Sequence, residues 1–155
     1  MTASLRLEKL TPENVRAACD MRLRPGQERF VAPVAQSLAE AYVHPDIAWP
    51  RLIVDGDELV GFLMLFLDVR LLPTDPEDHL RSGLWRLAIA ADRQGRGYGG
   101  FAVRAACEEL RGRGQKRITV TWKPDDDGPE PFYLKLGFRR TGEMSDDEVV
   151  GEMDL

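Results

Sequence analysis

A glycine-rich run is the part of this sequence whose composition most directly suggests chemistry. It consists of Gln94, Gly95, Arg96, Gly97, Tyr98, Gly99 and Gly100. The run lies between a predicted strand and a predicted helix. Glycines allow backbone N–H groups to turn toward a ligand, and the start of a helix adds partial positive charge. The run therefore predicts a pyrophosphate site, with Arg96 as a further charge.

The glycine run alone does not identify the ligand. It lacks the Gly-Lys-Ser/Thr ending of a phosphate-binding P-loop, and no strand–helix–strand unit precedes it as in dinucleotide-binding folds. A flexible glycine turn that binds nothing is the alternative interpretation.

Composition narrows the range of partners. The chain has 155 residues, of which 43% are hydrophobic and 30% charged, and its formal net charge is −5. This length predicts a single domain over residues 1–155. Binding to nucleic acid is disfavoured because it requires a basic face. The acidity favours cationic partners, but only weakly.

Cysteines and histidines give no indication of a metal site. Cys19 and Cys107 are far apart and are expected to pack as small hydrophobic residues without forming a disulfide. His44 and His79 lack the spacing of zinc ligands. The N-terminus has no signal-peptide pattern, and the longest apolar run, residues 59–67, is too short for a bilayer. A cytoplasmic protein without a membrane association is expected.

Hydrophobic periodicity predicts the elements that position the glycine run. A strand is expected near residues 5–9, then a helix that Thr11 caps and that ends at Pro25, and a second helix over 34–42. Strands over 51–54, 58–67 and 84–90 precede the glycine run and its helix, which extends to about Arg111. The remaining elements are a strand over 117–122, a helix between Pro129 and Gly137, and strands over 138–143 and 148–154. The order β-α-α-β-β-β-α-β-α-β-β predicts a mixed α/β sheet.

Two motifs within this order resemble those of the GNAT superfamily of acetyltransferases. Gln94, Gly97 and Gly99 fit its Q/R-x-x-G-x-G/A signature, between the fourth strand and the third helix, and residues 132–138, FYLKLGF, resemble its FYxxxGF signature. The order of elements is similar to that of the GNAT fold over essentially the whole chain. The resemblance implies a mixed, mostly antiparallel sheet with helices on both faces, and acetyl-CoA as co-substrate.

The resemblance also implies roles for individual residues. In the family, the backbone of strand four pairs with the pantetheine arm and directs an N–H group at the acetyl carbonyl. Leu87, Ala88 and Ile89 match those positions, and the amides of the glycine run would hold the pyrophosphate. Tyr133 matches the tyrosine that protonates the departing thiolate. A core aromatic residue on an amphipathic helix is the alternative interpretation of Tyr133.

One position departs from the family pattern. The family often has an asparagine seven residues before the tyrosine, in contact with the coenzyme arm, and here Asp126 occupies that position. An ionised carboxylate accepts hydrogen bonds but cannot donate them. The alternative is a solvated loop whose last acid, Asp127, caps the following helix.

A second departure concerns proton removal from the acceptor. An alkyl amine has a pKa near 10.4, so direct transfer at neutral pH requires a base. Several relatives place a Glu or Asp on strand four, four residues before the position of Ile89, and here that position is Trp85. The sequence therefore predicts a remote carboxylate or a relay of waters.

Within the superfamily, the closer resemblance is to bacterial spermine/spermidine acetyltransferases, through residues 27–42, 60–64, 85–99 and 141–155. It implies a linear polyamine as acceptor. Glu28 and the acids of residues 75–78 would receive a distal ammonium, and Trp85 would offer its ring face. A surface charge and a core residue are the respective alternatives for Glu28 and Trp85.

Other functions stay open at the level of the sequence. An antibiotic amine, an amino acid or a protein N-terminus is the alternative acceptor. A coenzyme-binding sensor without turnover is the alternative to an enzyme. The expected partner is a small-molecule amine, and a homodimer is an open alternative to a monomer.

Overall fold

The computed structural model of the chain describes residues 4–155, and its elements follow one another in the predicted order. The strands are β1 (Leu5–Glu8), β2 (Ala48–Asp55), β3 (Glu58–Arg70), β4 (Leu80–Ile89), β5 (Arg117–Trp122), β6 (Arg139–Ser145) and β7 (Glu148–Asp154). The α-helices are α1 (Val15–Asp20), α2 (Val34–Val43), α3 (Tyr98–Gly112) and α4 (Glu130–Leu136).

The described strands form one mixed sheet in the order β1-β2-β3-β4-β5-β7-β6. Only β4 and β5 are parallel, and the other neighbouring strands run antiparallel. The parallel pair is joined through α3, since parallel neighbours need a crossover connection. The predicted mixed, mostly antiparallel α/β sheet is confirmed.

The two faces of the sheet carry separate hydrophobic clusters. Side chains alternate along a strand, and β3 shows this directly. Leu63 and Leu65 pack in the cluster that includes residues of α3 and α4. Phe62 and Met64 pack in the cluster that includes Ala18 of α1 and residues of α2. Helices therefore cover both faces, as expected for this order of elements.

The first helix is shorter than predicted. Thr11 does not cap it: its carbonyl accepts the N–H groups of Asn14 and Val15 in a turn that precedes α1. The helix ends at Asp20 because Met21 is extended, with φ −60° and ψ 134°. Arg22 then accepts the N–H of Ala91 at 2.7 Å. This bond joins the segment after the helix to the segment after β4.

Two other expectations also needed correction. The strands β3 and β4 pair as far as Arg70 and Leu80, so the polar loop between them is shorter than predicted. Cys107 is buried as expected, whereas Cys19 is exposed. In the short α1 only Ala18 is buried, so the residue after it faces outward.

A buried arginine joins the β3–β4 loop to β6. Arg81 donates to both carboxylate oxygens of Glu143, at 2.8 and 2.7 Å, and to Asp78 at 3.0 Å. The N–H of Leu72 also donates to Asp78, and this bond is the main reason that the pKa of Asp78 is lowered. The hydrogen bonds from Arg81 lower the pKa of Glu143 to about 2. Both carboxylate oxygens of Asp78 are therefore bound within the fold, so Asp78 is not available to bind a distal ammonium.

We expect Glu143→Gln to lower the free energy of unfolding by about 1–3 kcal/mol at neutral pH, because a buried guanidinium loses its charged acceptor. The folded-state pKa lies below the usual value of 4.5, so this contribution is present above that pH and is lost as the pH falls toward about 2. Urea unfolding at several pH values measures it.

The matched control for this prediction is Glu8→Gln, which removes a charge from the exposed Arg6–Glu8 pair. It should change the free energy of unfolding by no more than about 0.5 kcal/mol. A difference between wild type and Glu143→Gln that stays constant from neutral pH to about pH 3 would contradict the assignment.

Candidate active site

The parallel strands β4 and β5 diverge in the middle of the sheet. They pair only through Gly83 with Thr119 and Leu84 with Val120. A Cβ atom on Gly83 would lie 1.8 Å from the carbonyl oxygen of Thr119, so this close approach requires glycine. Beyond Leu84 the strands separate, and β4 continues with β3 as its neighbour.

An irregularity in β4 coincides with the point of divergence. Leu84 is opposite Leu65 and Arg86 is opposite Met64, so Trp85 is an additional residue on the β4 side. Such a bulge bends its strand and increases the local twist. The bend explains why a gap opens between β4 and β5 immediately after their last pair.

Backbone groups of β4 face this gap. Ala90 donates its N–H to Val60 of β3 at 2.9 Å. Because neighbouring residues of a strand direct their polar groups to opposite sides, Ile89 and Leu87 direct theirs toward β5. The carbonyl of Ile89 accepts a hydrogen bond from Gln94 Nε2 at 2.9 Å. The N–H groups of Leu87 and Ile89 are directed toward the gap. Ala88 has the opposite orientation, toward β3.

The glycine run surrounds the start of α3 with backbone amides. Gly95 and Gly97 have φ values of +80° and +85°, which favour glycine. No side chain caps the helix, so the first N–H groups of this 15-residue helix are free to bind an anion. Gly99 lies close to the Phe132 ring of α4: an added Cβ would be 3.1 Å from it. Backbone and ring therefore meet without an intervening side chain.

A cavity of about 660 Å³ joins the gap, the glycine run and α4. Leu87, Ala88, Ile89, Gln94 and most of the glycine run line it, together with Tyr133. Arg96 is exposed and is not among the lining residues, whereas Arg93 lines the cavity and pairs with Glu58. Arg93 is therefore an additional positive charge at the cavity, which the sequence analysis did not identify.

Of two further predicted coenzyme residues, Tyr98 lines the cavity with its hydroxyl bound within the fold, and Asp126 lies outside the cavity lining. The hydroxyl of Tyr98 donates to Asp55 at 2.6 Å, and this bond is the main cause of the raised pKa of Tyr98. Asp126 is exposed and does not line the cavity. The suggestion that Asp127 caps α4 is wrong, because the helix has no side-chain cap. The carboxylate of Asp125 instead accepts the N–H of Asp127 at 2.9 Å.

Tyr133 lies between the aromatic core and the cavity. Its ring is stacked on Trp122, with 5.5 Å between centroids, and meets Phe132 and Phe138 edge-on. The residue is 7% exposed. Burial raises the pKa of its hydroxyl, and the charge of Glu148 raises it further. The phenol therefore stays protonated at neutral pH. Both interpretations of Tyr133, core residue and acid, fit this placement.

The end of α4 fixes the position of Tyr133. Gly137 has φ +110°, and Phe138 donates its N–H to the carbonyl of Tyr133 at 3.1 Å. This is the bond that closes a helix with a left-handed glycine. The predicted helix between Pro129 and Gly137 is thus confirmed, and its termination places the tyrosine over β5.

A pair of glutamines joins the glycine run to the segment between α1 and α2. Gln27 and Gln94 exchange two amide hydrogen bonds, at 3.0 and 2.6 Å. Gln27 begins a short 3₁₀ turn, Gln27–Arg29, that also carries Glu28. The pair links the turn that carries Glu28 to the coenzyme side of the gap. No local sequence pattern indicates it, because the two residues are 67 positions apart.

A second cavity, of about 570 Å³, lies on the sheet face covered by α1 and α2. Glu28, Trp85 and Glu148 are among its lining residues. Trp85 also packs against the cluster on that face and lies 5.3 Å from the guanidinium of Arg86. Glu28 is exposed at the rim. Glu148 was not selected by sequence reasoning.

The two cavities meet at the gap between β4 and β5. They share the lining residues Phe30, Val31, Leu84, Trp85, Arg86, Thr121 and Lys123. A long ligand in the first cavity and a second ligand in the other can therefore approach each other through the sheet. This arrangement suits a transfer reaction between two substrates.

Two findings bear on other classes of function. Within residues 4–155, no group of three His, Cys, Asp or Glu side chains is arranged to hold a metal ion. Over the same part of the chain, no helix has the length and apolar character needed to cross a membrane.

Comparisons with known proteins agree with this architecture. The N-alpha-acetyltransferase 30 of Schizosaccharomyces pombe is 26% identical over 117 residues, which cover 74% of this chain and 73% of that protein. An acetyltransferase from Thermus thermophilus has a TM-score of 0.69 at 24% identity, covering 98% of this chain and 97% of that one. The PaiA N-acetyltransferase from Thermoplasma acidophilum, solved in complex with coenzyme A, has a TM-score of 0.70 at 15% identity, with 98% and 99% covered.

These structures show that the fold is the GNAT fold. The profile of the acetyltransferase (GNAT) family matches residues 15–138, which is most of the chain. The match includes the diverging strands, the glycine run and α4. The chain therefore belongs to the GNAT family of acetyltransferases.

Proposed function

We propose that this acetyltransferase transfers the acetyl group of acetyl-CoA directly to a primary amine of a small molecule. The observation that carries the proposal is the gap between β4 and β5, where a coenzyme-sized cavity meets a second cavity from the opposite face. Acetyl-CoA supplies the acetyl thioester. The amides of the glycine run hold its pyrophosphate, with positive charge from the start of α3.

The residues at the gap have the roles that acyl transfer requires. The N–H group of Ile89 donates to the thioester carbonyl oxygen, whose negative charge grows in the transition state, and the N–H group of Leu87 is left to pair with the pantetheine arm. Tyr133 donates its proton to the departing thiolate. The departing thiolate is desolvated in the same apolar cavity. The pKa of the thiol is therefore raised for the same reason as the pKa of Tyr133.

We propose a linear polyamine, such as spermidine, as the acceptor. Two carboxylates, Glu28 and Glu148, line the second cavity, and Trp85 adds an aromatic surface for a cation. A distal ammonium held by the exposed carboxylate of Glu28 contributes about 1 kcal/mol, and this contribution weakens with salt.

The N-terminal amine of a protein is a second candidate acceptor. The observation that favours it is the similarity to N-alpha-acetyltransferase 30. Apolar residues of the second cavity, among them Ile47 and Phe66, suit the side chain of a first residue. Arg86, which also lines this cavity, is already paired with Glu40 at 2.9 Å, so its positive charge is partly compensated.

A competition assay separates these acceptors. Spermidine, a short peptide with a free N-terminus, an amino acid and an aminoglycoside are compared by kcat/KM. We expect spermidine to give the highest value, with an advantage that falls as ionic strength rises. Acetylation of the peptide with spermidine inert would contradict the polyamine proposal and support the second candidate. Binding of acetyl-CoA without turnover of any amine would indicate a sensor.

A further inference from the structure

Glu148 and Thr121 form a polar pair on the acceptor face of the sheet. In the β5–β7 ladder Trp122 is opposite Val149 and Thr121 is opposite Val150. Side chains alternate between faces, so Thr121 and Glu148 are diagonal neighbours on the face away from Trp122. The hydroxyl of Thr121 donates to Glu148 Oε1 at 2.7 Å. The carboxylate is thereby oriented at the start of β7.

The position of this pair relates it to both cavities. Glu148 lines the second cavity, and Thr121 lines both cavities where they meet. Tyr133 lies on the other face of the sheet, and the charge of Glu148 contributes to its raised pKa. The carboxylate and the phenol therefore lie on opposite sides of the same gap and within electrostatic reach of each other.

Glu148 has capacity for a further partner. Among residues 4–155 no cationic side chain pairs with it, and its hydrogen bond from Thr121 uses one of its two oxygens. Two other acids near the cavity are less suited to accept a further partner. Glu40 is paired with Arg86 at 2.9 Å, and Glu28 is exposed at the rim. The side chains of Arg29 and Lys123 also face this cavity, and Arg29 is shared with Asp125 and Asp127.

We propose that Glu148, oriented by Thr121, is the catalytic residue that takes the proton from the acceptor ammonium. The inference rests on the proposed acetylation of an amine and names the base for it. Position 85 of β4 is a tryptophan, which cannot accept the proton. Glu148 supplies a carboxylate instead, from β7 on the acceptor side of the same gap.

The reaction balances as follows. One ammonium proton passes to the Glu148 carboxylate, and the neutral nitrogen forms a bond to the acetyl carbon. The carbon–sulfur bond breaks, and the thiolate takes the phenolic proton of Tyr133. The nitrogen loses its second proton, which restores the Tyr133 hydroxyl through water. Glu148 then releases its proton to solvent, so each turnover yields an amide, a thiol and one proton.

Glu148→Gln tests this role because the amide oxygen can still accept the hydrogen bond of Thr121. At neutral pH we expect kcat/KM for spermidine to fall by about 10²- to 10⁴-fold. Calorimetric titration should show unchanged affinity for acetyl-CoA. With trifluoroethylamine, a weakly basic primary amine that is neutral at this pH, wild type and variant should differ by no more than about threefold, because no proton has to be removed before attack.

Two further variants separate proton transfer from charge and folding. Glu28→Gln removes the same charge from the same cavity but no proposed proton acceptor, so its loss of kcat/KM with spermidine should stay within about tenfold. Glu148→Asp keeps a carboxylate that can act through a water, and it should recover at least about tenfold of the activity that Glu148→Gln loses. Melting temperatures of the three variants confirm that each is folded.

Three results would overturn the inference. They are spermidine turnover by Glu148→Gln within about twofold of wild type, an equal loss with both amines, or no recovery in a folded Glu148→Asp variant. If wild type binds acetyl-CoA but acetylates no amine, the proposed function fails together with this inference. The first three outcomes leave the proposed function intact, so the two failures are distinguishable.

Discussion

Tyr133→Phe should lower kcat by about 10²- to 10⁴-fold while the fold and the affinity for acetyl-CoA are retained. The substitution removes one oxygen atom and keeps the ring that packs against Trp122, Phe132 and Phe138. Only the proton donor at the gap is lost. Steady-state kinetics with an amine acceptor measure kcat, and calorimetric titration measures coenzyme affinity.

Tyr42→Phe is the matched control for Tyr133→Phe. Tyr42 lies on α2 and is 85% exposed, so the same atomic change there should leave kcat unaltered. Burial raises the pKa of Tyr133, and the protonated form is the active one. The acid is therefore present throughout neutral and mildly alkaline pH. A kcat of Tyr133→Phe within about twofold of wild type would contradict the role, provided that chemistry limits the rate.

Gly97→Glu should weaken the binding of acetyl-CoA by about 10- to 1,000-fold, because a carboxylate near 4 Å from a phosphate costs about 1–4 kcal/mol. A Cβ atom on Gly97 would meet no other atom within 4 Å, so the new side chain has room beside the amides of the glycine run. Calorimetric titration with acetyl-CoA at two salt concentrations measures the effect, which should decrease at the higher one.

Gly97→Ala is the control that isolates the charge. Both variants place a side chain at φ +85°, which costs about 1–3 kcal/mol, but alanine adds no charge. We expect Gly97→Ala to bind more tightly than Gly97→Glu. Equal affinities of the two folded variants would show that the glycine run does not hold the phosphates.

The order of elements was accessible from the sequence because each element carries its own local signal. The bounds of β5, Arg117–Trp122, follow from alternation alone, and the end of α4 follows from Gly137. The glycine run was predicted for the same reason: its spacing is local, and backbone conformations that favour glycine confirm the turn at Gly95 and Gly97.

Features that depend on distant residues were not accessible. The early end of α1 is associated with a bond between Arg22 and Ala91, and the Gln27–Gln94 pair joins segments that share no pattern. Glu148 was missed because it is oriented by Thr121, a diagonal neighbour on the adjacent strand, and no local pattern shows this contact. Arg93 was missed because it lies before the glycine run, and the sequence does not show that its side chain lines the cavity.

We expect this chain to move an acetyl group from acetyl-CoA to an amine across the β4–β5 gap. The most direct test incubates the wild-type protein with acetyl-CoA and spermidine and measures both the free thiol released and the acetylated amine by mass spectrometry. We predict equal amounts of thiol and acetylated product, with both reactions greatly slowed by Tyr133→Phe. Thiol release without acetylated product, or no release with any primary amine, would show that this chain does not carry out the transfer.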